Sequence, residues 1–269
     1  MTKKLRLAVN KHYELRGQYI DLAFRKELED ALFSCTSSSH LLLKELTKSR
    51  RNLPLLRLAG LQAYQLVSFF SRYIGCLYHH CDVAYYRKRL AIRLYEEETG
   101  ILSGTANHEV LMRRFLRALG ISDAERDEVP VLLGTQNLID YRWQLVNNPD
   151  TFHMGAAAIL IASEGQYLEE ETHRGRHVLL PMVYGIKPED LAFFLVHTRE
   201  DVFHVREGLD LTAEICLTRE QKEQALQAVR ETDGYFSRYY DGILEAYESS
   251  YFSNIAIQKN EYMRDVCAC

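Results

Sequence analysis

Glycine and proline are scarce in this chain, at 14 and 5 of 269 residues. That shortage excludes collagen-like and low-complexity classes, and argues against an all-β chain built on many tight turns. Long uninterrupted hydrophobic runs are missing too. The most apolar stretch, Leu53 to Tyr78, carries Arg57, Gln62, Gln65, Ser68 and Arg72, whereas a bilayer span needs about 20 mostly apolar residues. It reads as a long helix buried on most sides. There is no excess of positive charge: the formal net charge is −4, which argues against a general nucleic-acid binder. Met1 to Leu15 is basic and polar and lacks the apolar run of a signal peptide. The cysteines (Cys35, Cys76, Cys81, Cys216, Cys267 and Cys269) are scattered and read as free thiols in a reducing cytoplasm. The Cys267-Ala-Cys269 ending reads as a disordered end sooner than as a metal pair.

What is present is apolar material, 47% of the chain, arranged with helical periodicity. Apolar residues recur at spacings of three and four in Leu22 to Phe33, Leu53 to Tyr78, Tyr85 to Ile101 and Val110 to Leu119. The pattern returns in Met154 to Leu168, Leu191 to Val205 and Leu226 to Tyr247. Only Arg176 to Val183 reads as extended. The breaks are short and carry start and stop signals: Asn52-Leu53-Pro54, Gly100, Gly120-Ile121-Ser122-Asp123, Asn147-Asn148-Pro149-Asp150 and Lys187-Pro188-Glu189-Asp190. The expectation is one all-α domain over 1–269, a bundle of about eight or nine helices with its core from about 53 to 250 and a tail at 251–269.

Ten histidines and 37 carboxylates matter by position. In His197-Thr-Arg-Glu-Asp201-Val-Phe-His204, steps of four and three place His197, Asp201 and His204 on one helix face. The apolar run before them implies a buried helix, where imidazoles and a carboxylate need a partner that a divalent metal supplies. The competing reading is an interhelix hydrogen-bond cluster or a solvated face. Glu164 sits in a small-residue apolar helix on a stripe with Ala157, Ile161 and Leu168, where a lone carboxylate is out of place unless the helix ends there. In Glu96-Glu97-Glu98, periodicity from Leu90 and Leu94 admits either Glu97 or Glu98 and leaves Glu96 off the stripe. His108 opens a helix whose apolar face is Val110, Leu111, Phe115 and Leu116.

These segments carry a resemblance. Glu-Glu-x-Gly, with a His eight residues after the Gly, then His-x-x-Leu-x-x-x-Phe-Leu-x-Ala-Leu-Gly, Gly-x-x-Ala…Glu-x-Gln and His-x-x-x-Asp-x-x-His, is similar to the haem-oxygenase-like diiron oxidases. These are relatives in fold of thiaminase-like and pyrroloquinoline-quinone-synthase-like proteins. The resemblance runs from about Leu53 to Leu209. It implies a haem-oxygenase-like helical bundle, two iron(II) ions as cofactor, O2 as co-substrate, and ligands Glu98, His108, Glu164, His197, Asp201 and His204. Glu98 is taken because it stands two residues before the motif's Gly. Three carboxylates and three imidazoles suit iron, though manganese or zinc fits the same ligands. The implied activity is oxidation of a small amine or amino acid in a biosynthetic pathway, by N-oxygenation or oxidative C–C cleavage. Fatty-acid oxidative decarboxylation and a metal-free enzyme of the same fold are the alternatives, and a non-catalytic interaction protein is a third.

Other residues have both a chemical and a plainer reading. Arg142, Arg174, Arg176 and His177 suit a substrate carboxylate, against surface pairing of the arginines with Glu169, Glu170 and Glu171. Tyr95 and Tyr167 are redox candidates set against ordinary packing. His79-His80-Cys81-Asp82 reads as a solvated helix end, because adjacent helical residues point apart. The expected partner is a small-molecule substrate, with no nucleic acid and no membrane, and a homodimer is compatible with the sequence.

Overall fold

The structure is a computed structural model that describes residues 20–166, 168 and 176–267, with side chains up to residue 249. Among these residues every regular element is a helix: α1 Leu22–Ser34, α2 Leu41–Lys48, α3 Leu53–His80, α4 Ala84–Thr99, α5 His108–Ala118, α6 Asp123–Glu128, α7 Leu133–Val146, α8 Phe152–Ala156 continued by a π-helical segment Ala157–Ser163, α9 Arg176–Tyr184, α10 Ala192–Ile215 and α11 Arg219–Cys267. No helix among the described residues is long and apolar enough to cross a membrane.

The local signals act where physics places them. Asp21 caps α1 by accepting from the Phe24 amide at 3.0 Å, Asn107 caps α5 through the Val110 amide, and Ser122 with Glu125 forms a capping box on α6. Gly100 closes α4 in the left-handed region at φ 64°, and a side chain there would collide with the Ala106 backbone.

The π segment and α10 form the centre of the bundle. α1, α7 and α11 pack on one side of them through Phe24, Leu28, Tyr141 and Val229. α3 and α4 pack on the other through Tyr73, Ile74, Leu77 and Leu90. Each such apolar side chain removed from water contributes about 1.5–3 kcal/mol. The core therefore begins with α1 and not near residue 53. The expected tail at 251–269 also falls largely within α11, whose helix continues to Cys267; the thiols of Cys267 and Cys269 lie outside the described side chains. The segment read as extended, Arg176 to Val183, is the helix α9. Its buried residues Leu180 and Tyr184 are four apart, a helical spacing that the short continuous apolar run from Val178 and the internal Pro181 obscured.

Candidate metal centre

Four helices contribute to one cluster. On α4 the buried face is Tyr86, Leu90, Arg93, Glu96 and Glu97. Glu97 Oε2 lies 2.7 Å from Nδ1 of His108, the first residue of α5. The His108 ring stands 4.9 Å from that of His197 at 71°. On α10, His197 Nδ1 is 3.1 Å from Asp201 Oδ1, which is also 3.8 Å from His204 Nδ1. His204 Nδ1 is 3.2 Å from Glu164 Oε2, just beyond the π segment. Asp201 thus stands between two groups of donors: Glu97, His108 and His197 on one side, Glu164 and His204 on the other.

Glu98, the ligand chosen from the motif, is exposed, and Glu97 takes its place in the cluster. The reason is register. The inward stripe runs Leu90, Arg93, Glu97 and not Leu90, Leu94, Glu98, because Arg93 is buried beside Glu164 at 3.3 Å. Glu96, expected off the stripe, is buried as well. Its carboxylate accepts from the Leu102 amide at 2.7 Å and the Ser103 amide at 3.2 Å, tying down the loop that leads to His108. The solvated-terminus reading of Glu164 does not hold, since it is 3% exposed. Nor does it lie on an amphipathic stripe: every residue of 155–166 is buried, as expected of a central helix.

A close approach sets the crossing of α10 over the π segment. A Cβ on Gly208 would lie 2.7 Å from both Cβ and the carbonyl oxygen of Leu160. Gly208 is one turn beyond His204, and Leu160 one turn before Glu164. The absence of one side chain therefore brings the His204 and Glu164 donors together. π turns recur at functional sites because they re-aim successive side chains, and here both Ser163 and Glu164 line the cavity.

Burial pushes the Glu97 carboxyl up, but the charge and hydrogen bond of His108 outweigh it and hold Glu97 below the usual range. Burial pulls His108 down, and Glu97 reverses that and raises it. Burial likewise opposes ionisation of Glu164, which Arg93 and His204 nevertheless keep charged. Asp201 is raised by burial and by the Glu164 charge. His197 is lowered to about 3 by burial and by the His108 charge. Burial thus opposes the charged form of both Asp201 and His197.

The donors fit a metal. Glu164, Asp201 and His204 each offer a ligand atom, and these atoms lie within 4.8 Å of one another. Asp201 Oδ2 and His108 Nε2 are buried with no hydrogen-bond partner, a costly state that a cation relieves. Anionic carboxylates with neutral imidazoles form a donor set suited to iron(II).

All of the cluster but His204 lines a cavity of about 50 Å³, together with Leu66, Val67, Phe70, Phe193 and Phe236, with Arg142 and Ser163 in its wall. Arg142 is 3% exposed, so the surface reading does not apply to it. Arg176 lines a second cavity, and His177 Nδ1 is 3.4 Å from the Thr198 hydroxyl. Arg174 and Tyr167, like Glu169, Glu170 and Glu171, lie outside the described residues, and Tyr95 is 46% exposed. His79 and His80 end α3 at the surface and Asp82 is exposed, as expected of a solvated helix end, but Cys81 is buried in the core beside Tyr73, Ile74 and Leu77. Sequence reasoning missed Arg93. Its signal was there, four residues before Glu97 and three after Leu90, but an arginine reads as a solvated residue until its partner is known.

Residues 60–233 match the family described as iron-containing redox enzymes. The chain is 30% identical over 186 residues to a 4-aminobenzoate synthase of Chlamydia muridarum, covering 68% of this chain and 73% of that one. A 4-aminobenzoate synthase of Nitrosomonas europaea is 31% identical over 163 residues, covering 60% and 63%. Among solved structures, a TenA homologue from Pseudomonas syringae superposes with a TM-score of 0.66 at 15% identity, covering 84% of this chain and 94% of that one. A Shewanella denitrificans domain with a haem-oxygenase-like fold gives 0.65 at 16%, covering 85% and 94%. The structural likenesses show the fold, the family match spans well over half of the chain, and with them the chain belongs to the iron-containing redox enzymes built on the haem-oxygenase-like fold.

Proposed function

We propose that this chain is an O2-dependent dinuclear nonhaem iron oxidase that acts on a small amine or amino acid. An aromatic amine of the 4-aminobenzoate kind is its product class. The observation that carries this reading is the convergence of Glu97, His108, Glu164, His197, Asp201 and His204 in one cluster, all but His204 lining one cavity, with Asp201 between the two donor groups. Glu97, His108 and His197 would hold one ion, Glu164 and His204 the other, and Asp201 is placed to serve both. When bound, the two iron(II) ions supply the electrons and open coordination positions that dioxygen activation requires.

The chain's own residues prepare that site. Asp201 would ligate as the carboxylate, since a ligating carboxylate must be ionised, and a cation there would offset the burial and the Glu164 charge that raise it. Arg93 keeps Glu164 ionised and oriented at 3.3 Å. Glu96 fixes the loop before His108. Leu66, Val67, Phe70, Phe193 and Phe236 give the cavity an apolar wall, which lowers the local dielectric and strengthens the charge interactions beside it. A second reading, oxidation of a longer fatty acid, draws on the adjoining apolar cavity of about 90 Å³, which shares Leu66 and Phe236 with the first.

The test uses the purified full chain, freed of metal. Anaerobic iron(II) is expected to bind at about two equivalents per chain, with O2 uptake on mixing, and Glu164→Ala and His204→Ala are expected to abolish both. No stoichiometric iron, or undiminished binding in both variants, would sink the reading.

A further inference from the structure

We infer that the apolar cavity adjoining the metal cavity is a site for dioxygen, a nonpolar gas that it takes from solvent and passes to the centre between Leu66 and Phe236. The inference deepens the function proposed above, from which it takes O2 as the co-substrate. That the cavity holds a small apolar gas stands without that reading.

The lining decides what can rest there. The cavity, of about 90 Å³, is bounded by Leu56 and Ala63 of α3, Met112 and Phe115 of α5 and Phe194 of α10. Among the described residues of its lining, only Thr47, Arg176, Tyr239 and Tyr240 carry a side-chain nitrogen or oxygen. The Thr47 hydroxyl is turned to the Leu43 and Lys44 carbonyls of its own helix, at 3.4 and 3.3 Å. The Tyr239 and Tyr240 rings pack on Phe236 at 6.3 and 6.0 Å, and Arg176 is half-buried at the start of α9. Water settles in a cavity where it finds about two to four polar partners, whereas a cavity of about 150 Å³ lined by Leu, Ile and Phe stays dry and takes xenon or benzene. Protein interiors hold few voids larger than a water, and this one borders the donor cluster's own cavity.

The border selects a gas over a chain. Leu66 and Phe236 belong to the walls of both cavities, and they are 9% and 5% exposed. A diatomic passes between two such side chains when either changes rotamer, with no shift of backbone. An acyl chain lying across the border would hold them apart throughout and strip Phe236 from the Tyr239 and Tyr240 rings. Dioxygen is uncharged and has no dipole, so it partitions from water into such a wall as other apolar solutes do. On the solvent side Leu43, Leu46 and Thr47 of α2 and Arg176 of α9 are half-buried. The entrance lies between these two helices. The Tyr184 hydroxyl donates to the Leu46 carbonyl at 2.7 Å, a tie that limits how far they part.

The test reads dioxygen itself, on the metal-free full chain, where no iron consumes it. Dissolved O2 is paramagnetic and speeds the nuclear relaxation of methyl groups that it approaches. Under O2 pressure the Leu56 and Met112 methyls are expected to relax several-fold faster than those of Ile74 and Leu77, which are also buried but border neither cavity. Equal enhancement in the two sets overturns the inference whether or not any variant folds. Xenon is expected to bind saturably, and Ala63→Leu, which fills part of the cavity, to abolish both the xenon binding and the excess relaxation. An excess that survives in a folded Ala63→Leu chain places the gas elsewhere and overturns the inference. Decanoate that binds and expels xenon would make this an acyl-chain site and overturn the gas assignment. Delivery is read on the iron-loaded chain: Ala63→Leu should slow O2 uptake several-fold at unchanged iron stoichiometry, and an unslowed rate overturns the passage between Leu66 and Phe236. Loss of iron binding with the excess relaxation intact sinks the proposed function alone, and the reverse outcome sinks only this site.

Discussion

Gly208→Ala offers a direct test of how the fold positions the centre. The added methyl would lie 2.7 Å from the Leu160 Cβ and carbonyl oxygen, so α10 and the π segment must separate by roughly 0.8 Å to reach an ordinary carbon contact of about 3.5 Å. Overpacking of this kind costs about 1–3 kcal/mol, offset by the helix propensity gain of alanine over glycine of about 1 kcal/mol. The net loss is up to about 2 kcal/mol, which lowers the melting temperature of the metal-free chain by up to roughly 8 °C. Gly75→Ala is the matched control, because nothing lies within 4 Å of its added Cβ and the same propensity gain should raise the melting temperature by roughly 2–4 °C. The separation also lengthens the 3.2 Å approach of His204 to Glu164, so anaerobic iron(II) titration of Gly208→Ala should show weakened binding. A Gly208→Ala chain that melts as high as Gly75→Ala and keeps full iron binding would refute the close-approach argument.

Glu97→Gln should lose iron(II) stoichiometrically while Glu98→Gln keeps it, and the opposite result in a metal titration would restore the motif-based choice. Glu96→Gln leaves the Leu102 and Ser103 amides with a neutral acceptor; hydrogen exchange at those amides should accelerate and iron affinity fall, and unchanged exchange would remove the loop-anchor role. Alkaline pH should destabilise the fold. Burial pushes Tyr73 and the Cys216 thiol up to about 12, above unfolded values of about 10 and 8.5. Between these limits the unfolded chain sheds protons that the folded chain keeps, so the contribution of these two groups is constant below about pH 8 and falls above it by about 1.4 kcal/mol per pH unit per group. A urea midpoint that stays constant or rises from pH 8 to 11 would contradict this.

Helix type was legible wherever one face alone is buried. The α3, α4, α5, α10 and α11 patterns follow from periodicity and end signals, since an amphipathic stripe records burial in the sequence. It was not legible in α7, which buries Thr135 and Arg142 beside Leu138, Ile139 and Leu145, nor in α9, where too few buried residues define a period. The π segment is a separate case. Ala157 to Ser163 is buried all round, so no stripe exists to follow, and its register was set by contact with α10 and not by its own residues.

The site shows the same division at the scale of one residue. Five of the six expected donors cluster because their types and spacings on buried helices leave little choice: His197, Asp201 and His204 are tied by the α10 face, Glu164 by its apolar surroundings, and His108 by the Asn107 cap. The sixth moved from Glu98 to Glu97 because a stripe drawn through apolar residues passes over a buried arginine. Arg93 and Glu97 lie four apart, and they are inward only because Glu164 and His108 wait there from other helices. A charge that is buried for a partner distant in sequence cannot be told from a solvated one by periodicity. Arg142 presents the same ambiguity: its burial answers to Ser163 and to the cavity it lines, and neither is visible from α7. The electrostatics of the centre, including which carboxylates are held down and which is pushed up, thus belong to tertiary contact, while the inventory of donors belongs to sequence.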